Sequence, residues 1–227
     1  MGFSKRRDKS EILINLLTNY FWNDAKKEFN IVQCLWGYEN VISDNMMIDM
    51  LKRSRSSTAN YIRFQPDFIV AGESCVFLME YKVTSTPRYS ERERQWDIGQ
   101  VEADAWRNYL RLISIGVNIG ILIYCPYHRH PLLCDIPKID WEIQSGFVKS
   151  TVTGSGTPYV NIDLQKLRTF SKFMVDEFKI DLKFLAPRVR LILRTAREVL
   201  PTQHDPKSPY FADKGCQTGW NWLEEYL

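Results

Sequence analysis

Three charged residues interrupt an apolar stretch near the middle of this 227-residue chain: Asp67 in Phe64-Gln65-Pro66-Asp67-Phe68-Ile69-Val70, then Glu80 and Lys82 in Val76-Phe77-Leu78-Met79-Glu80-Tyr81-Lys82. The surrounding residues are β-branched, aromatic or otherwise apolar and are bounded by Pro66 and Pro87, which predicts two buried strands joined by a tight turn. Side chains alternate along a strand, so Val76, Leu78, Glu80 and Lys82 share one face and Cys75, Phe77, Met79, Tyr81 and Val83 the other. With Ala71 to Ser74 as the turn, Asp67 falls opposite Leu78. It is then the same-face diagonal neighbour of Glu80, on the order of 7 Å away. Two carboxylates that close are unfavourable without a cation, and a carboxylate in a low dielectric needs a partner or a metal. The chemistry this suggests is attack of water on a phosphodiester, with Asp67 and Glu80 as Mg²⁺ ligands and Lys82 orienting a water or a phosphate oxygen. The plainer alternative is a hairpin whose Glu80 and Lys82 simply reach solvent at the sheet end.

Pro66-Asp67 followed by Glu80-Tyr81-Lys82 at the end of a second apolar strand resembles the signature of the PD-(D/E)XK nuclease superfamily. The resemblance spans roughly residues 8 to 126. It implies an α/β, restriction-endonuclease-like fold: an αβββαβ core with a mixed central sheet flanked by helices and a C-terminal helical extension. The activity it implies is Mg²⁺-dependent cleavage of DNA, with Mn²⁺ as a substitute ion. Many members add an acid from the first helix to the metal site, and Glu11 is the matching position here. Some exonuclease-like branches carry a Gln in the helix after the motif, where this chain has Gln100. Many members act as homodimers, and that implication extends to this chain.

The elements that must position these residues follow in order. A helix from Glu11 to about Glu28, capped by Ser10, buries Ile12, Leu13, Leu16, Leu17, Tyr20 and Phe21. Glu11 also reads simply as a first-turn acid favoured by the helix dipole. A short strand falls within Ile31 to Tyr38. Ser43 or Asp44 caps a helix through Met46 to Leu51, whose methionines read as core. Lys52 to Ser57 reads as a basic loop in which Arg53 and Arg55 suit phosphate contacts, or as an ordinary solvated loop. After Lys82, the polar segment Thr84 to Arg94, with Arg88, is a candidate DNA-engaging flap. Trp96 to Ile115 reads as one amphipathic helix, with Val101, Ala105, Tyr109 and Leu112 at helical spacing and with Gln100 and Glu102 as candidates for contacts near the site. Asn118 to Tyr124 reads as a buried strand parallel to the core.

Cys125, His128, His130 and Cys134 cluster within ten residues and could hold Zn²⁺, although the spacing is not that of a common finger; a surface loop at a strand end is the other reading. Residues 140 to 162 predict a hairpin added to a sheet edge. Asp163 is expected to cap a helix from Leu164 to Phe178. Pro187 suits the first turn of a last helix to Leu200. Along that helix Arg190, Arg194 and Arg197 form a basic row able to follow a DNA backbone, or a solvated face.

Composition sets the limits. Hydrophobic content of 44% and aromatic content of 13% require a real core and exclude disorder. A net charge of +3 gives no overall signal for nucleic acid, so such binding rests on local clusters. Five cysteines do not form a disulfide framework, and the expected setting is reducing and cytoplasmic. Asn15, Thr18 and Asn19 break the apolar run after Lys5-Arg6-Arg7, which argues against a signal peptide, and no run suits a membrane span. The organisation expected is one nuclease-like α/β domain over residues 1–200, then an extension over 201–227 whose Trp220, Trp222, Leu223, Tyr226 and Leu227 pack on the core or on a partner subunit. The leading functional reading is a Mg²⁺-dependent DNA endonuclease without a small-molecule cofactor. The alternative is a nucleic-acid-binding or assembly protein on the same fold that does not cut.

Overall fold

The structure is a computed structural model that describes residues 11–83, 98–125, 130–137, 148–152 and 156–199. Ser10, the 84–94 segment with Arg88, His128, residues 140–147 and the tail 201–227 lie outside the described residues.

Helix α1 runs over residues 11–29, with a π-helical turn at Thr18–Trp22, and ends where Asn30 takes a left-handed conformation, φ 53°. It buries Leu13, Leu16, Leu17, Phe21, Trp22 and Ala25, close to the stripe its periodicity predicts. Strand β1 (Val32–Leu35) and a single turn, α2 (Tyr38–Val41), follow. Helix α3 (Asn45–Arg53) is capped by Asp44, whose Oδ1 accepts from the Met47 amide at 3.0 Å. Its methionines are not core: Met46, Met47 and Met50 are all more than half exposed. The segment Lys52 to Ser57, which reads in sequence as loop, is helical at both ends: Lys52 and Arg53 belong to the last turn of α3, and helix α4 (Ser57–Arg63), capped by Ser56, begins at its last residue.

Strands β2 (Phe68–Ala71) and β3 (Val76–Val83) form the expected hairpin, closed by the Gly72 amide donating to the Cys75 carbonyl at 2.8 Å. Its register differs from the expected one by two residues, with Ile69 opposite Leu78 and Phe68 opposite Met79. A shift of two leaves every side chain on its predicted face, because the pleat repeats every two residues. Continuing that register one step past the last pair would set Asp67, just before β2, opposite Glu80 instead of diagonal to it.

Where one helix from Trp96 to Ile115 is expected, the chain forms strand β4 (Ile98–Glu102) and then helix α5 (Ala103–Ser114). Strand β5 (Ile119–Tyr124) pairs parallel to β3, as predicted, and β6 (Leu132–Asp135) pairs antiparallel to β5. The hairpin of β7 (Val148–Val152) and β8 (Pro158–Asp163) does not extend the main sheet. It joins β4 in a separate three-stranded antiparallel sheet, ordered β4-β8-β7. Asp163 caps only a short 3₁₀ turn, Leu164–Lys166; strand β9 (Arg168–Thr169) intervenes, and Thr169 caps α6 (Phe170–Phe178). The last helix, α7 (Leu182–Val199), starts five residues before Pro187, which lies inside it.

The main sheet is mixed, in the order β1-β2-β3-β5-β6-β9, with helices on both faces. Counting the elements that lead to and flank β3, the sequence of helix, three strands, helix and strand matches the expected order, with α2 to α4 and β4 as additions. On one face Phe77, Met79, Tyr81, Leu122 and Tyr124 pack with α1, α6 and α7. On the other, Ile119, Ile121 and Ile123 pack with α5 and the small sheet. The close approach of β4 depends on Gly99, where a Cβ would stand 2.9 Å from both Ile123 Cδ1 and Leu164 Cδ2. Of the residues that could hold zinc, Cys134 is buried in the first core and Cys125 in the second, and among the described residues no group of three or more His, Cys, Asp or Glu residues is placed to hold a metal ion.

Candidate active site at the end of the central strands

Central strand β3 carries Glu80 to a position where almost no water reaches it: the residue is 3% exposed. Burial on that scale requires partners, and two are present. Tyr109 on α5 donates its phenol hydrogen to the carboxylate, and Lys82, two residues along the same face, forms an ion pair with it. Tyr109 is itself buried, and burial together with the Glu80 charge pushes its phenol well above the usual range. Desolvation opposes the Lys82 ammonium, but the charges of Glu80 and Asp67 outweigh it and hold the group charged. The Lys82 side chain keeps 36% of its surface exposed, so the cation reaches from the buried acid toward solvent.

Asp67 is fixed by its backbone as much as by its side chain. Its carbonyl accepts from the amides of Trp36 at 2.7 Å and Gly37 at 3.2 Å, and its Oδ2 accepts from the Tyr81 amide at 2.9 Å. The segment just before it is held by the Asn108 side chain, which donates to the Phe64 carbonyl at 2.9 Å. Burial, then the facing Glu80, raise the Asp67 carboxyl to about 7, against the partial relief given by Lys82 and the Tyr81 amide. A weaker contribution of the same sign comes from Glu39 on α2, which pairs with Lys52 at 2.8 Å.

Among the described residues the site is therefore short of positive charge: the Asp67 and Glu80 carboxylates share Lys82. Hard carboxylate oxygens in that number suit Mg²⁺, which is commonly bound through one or two protein carboxylates and otherwise keeps its waters. Asp67 and Glu80 would hold such an ion. Among the described residues there is no group of three or more His, Cys, Asp or Glu residues placed to hold a metal.

Glu11 is exposed at the start of α1, and the leading acidic influences on Asp67 are Glu80 and Glu39. Gln100 lies on β4 with its amide donating to Asn161 Oδ1 at 2.8 Å, whereas Glu102, two residues on, acts electrostatically on both Lys82 and Tyr109. Arg53, Arg55, Arg190 and Arg194 are exposed, and Arg197 lies within α7. Sequence reasoning assigned no role at the site to Tyr109, Glu39, Trp36 or Asn108. Only Tyr109 carried a signal, as a hydroxyl within an otherwise apolar helical stripe.

No family model matches the chain, and no curated protein does. Among solved structures it is similar to Hjc, a Holliday junction resolvase from Archaeoglobus fulgidus, with 9% identity, a TM-score of 0.37, and coverage of 76% of this chain and 98% of that one. The chemistry of the site, not this likeness, carries the functional reading. No helix among the described residues is long and apolar enough to cross a membrane.

Proposed function

We propose that this chain is a metal-dependent nuclease of the PD-(D/E)XK superfamily, an endonuclease that hydrolyses phosphodiester bonds in DNA with Mg²⁺, or Mn²⁺ in its place. The observation that carries the reading is Asp67, just before strand β2, close enough to Glu80 on β3 for the two carboxylates to act on each other, with Lys82 paired to Glu80 and partly open to solvent. When bound, the divalent cation would supply Lewis-acid stabilisation of charge on the phosphoryl oxygens. The chain's own residues supply the rest. Tyr109 and Lys82 hold Glu80 in one orientation, and the Trp36, Gly37 and Tyr81 amides do the same for Asp67. The Lys82 ammonium offers a fixed positive charge where negative charge develops as water attacks phosphorus.

A second reading, a DNA-binding or assembly protein that does not cut, draws on the absence of a third metal-binding group among the described residues. One experiment separates the two. Supercoiled plasmid and a four-way junction are incubated with the protein in Mg²⁺, beside Asp67→Ala and Glu80→Gln variants. Nicking by the unaltered protein alone supports the nuclease. Cleavage by all three proteins, or by none, refutes it, and DNA binding without cleavage supports the second reading.

A further inference from the structure

The flank of Asp67 exposes aromatic surface beside exposed cations. Trp36, whose amide is tied to the Asp67 carbonyl, is 39% exposed, and Tyr61 on α4 is 44% exposed. Gln65 links the two positions: its Oε1 accepts from the Trp36 indole N–H at 2.9 Å, and its amide donates to the Tyr61 carbonyl at 3.3 Å. The indole edge is thereby fixed while part of the ring remains open. From α4, Arg63 reaches the Lys52 carbonyl at 3.4 Å, which joins this surface to the end of α3, where Arg53 and Arg55 stand exposed. Lys52 is neutralised by Glu39. Arg53 and Arg55 have no carboxylate partner among the described residues.

An exposed tryptophan and tyrosine are poor choices for a surface that only meets water. Arranged with exposed guanidinium groups they match what a single strand requires, flat rings for bases and cations for phosphates. Bases inside a duplex are already stacked and cannot use such rings. We infer that Trp36 and Tyr61 stack unpaired bases while Arg53 and Arg55 hold the adjoining phosphates, so that the substrate at the Asp67 site is DNA with a single-stranded segment. This rests on the nuclease reading for its link to cleavage, but not for the binding itself.

The test measures binding of fluorescein-labelled dT₂₀ and of a 20-base-pair duplex to the full chain by anisotropy in EDTA. The expected result is tighter binding of dT₂₀. Tyr61→Ala and Trp36→Ala should each weaken it by about 5- to 100-fold with little effect on the duplex, and Trp36→Phe, which keeps a ring, should restore most of the loss. Arg53→Gln with Arg55→Gln should flatten the salt dependence for dT₂₀ by roughly 1.4 in log–log slope. Equal affinity for duplex and single strand, or ring deletions that leave dT₂₀ binding unchanged, overturns the inference. Selective dT₂₀ binding in a protein that never cuts would refute the nuclease and leave the inference standing. Cleavage without any single-strand preference would do the reverse.

Discussion

Replacing Asp67 by asparagine tests the electrostatics of the site without reference to any substrate. The Asp67→Asn side chain would keep an oxygen for the Tyr81 amide and lose only the titrating group. In the folded chain burial and Glu80 raise the Asp67 carboxyl from 3.8 to about 7. Between those pH values the native state holds a proton that the unfolded chain releases, so this group's contribution to stability falls as pH rises through the window. A rise of about three pKa units at 1.36 kcal/mol each gives an upper value of about 4 kcal/mol. Asp67 is partly exposed, and water screening reduces the expected figure to ~2–3 kcal/mol. Urea unfolding followed by circular dichroism at pH 4.5 to 8.5 is the assay. The two proteins should be close in stability at the acid end, and Asp67→Asn should be the more stable by ~2–3 kcal/mol at pH 8. Millimolar Mg²⁺ at pH 8 should stabilise the unaltered protein and close part of that gap, because an ion that binds only the folded state adds to its stability. Parallel stability curves across the window, or a variant less stable at pH 8, would refute the assignment of a strained, cation-deficient carboxylate pair.

Two further substitutions probe the supports of the site. Tyr109→Phe removes a hydrogen bond to a buried carboxylate and should cost ~1.5–3 kcal/mol, seen as a lower urea midpoint with an unchanged slope; a midpoint equal to that of the unaltered protein would show that Glu80 does not depend on the phenol. Gly120→Ala places a methyl group against Met79 across the β3–β5 pair, with the Met79 methyl 2.9 Å from the new Cβ, and should cost ~1–3 kcal/mol. Adding Met79→Val should recover part of the loss in a double-mutant cycle, and purely additive effects would place the strain elsewhere.

The grouping of Asp67, Glu80 and Lys82 was legible in one dimension because strand faces repeat with a period of two. The faces of Asp67, Glu80 and Lys82 survive the two-residue difference in register, and β5 is apolar enough to be recognised alone. Strand β4 was hidden because its partner β8 is some sixty residues away, and because Val101 also fits the helical stripe of Ala105, Tyr109 and Leu112. Its alternation, Gly99 and Val101 inward against Gln100 and Glu102, spans only five residues. Asp163 is a sound capping residue, yet Thr169 caps the longer helix, since β9 must first pair with β6. The methionines of α3 show the limit of composition: Met46, Met47 and Met50 are apolar, but no element among the described residues covers them. Trp36 joins the site through a backbone hydrogen bond to Asp67 and Glu39 through its charge, neither of which any spacing encodes.

The Tyr81 amide belongs to a central strand, two residues past Met79, the last to pair with β2, and it donates to the Asp67 carboxylate. Hydrogen exchange at its neighbours in β3 will follow global unfolding, as for any core strand. Exchange at Tyr81 depends in addition on whether Asp67 stays in place, and its proton resonance will shift as that carboxyl ionises. One backbone proton thus reports the state of the buried carboxylate pair, in a chain carrying no probe.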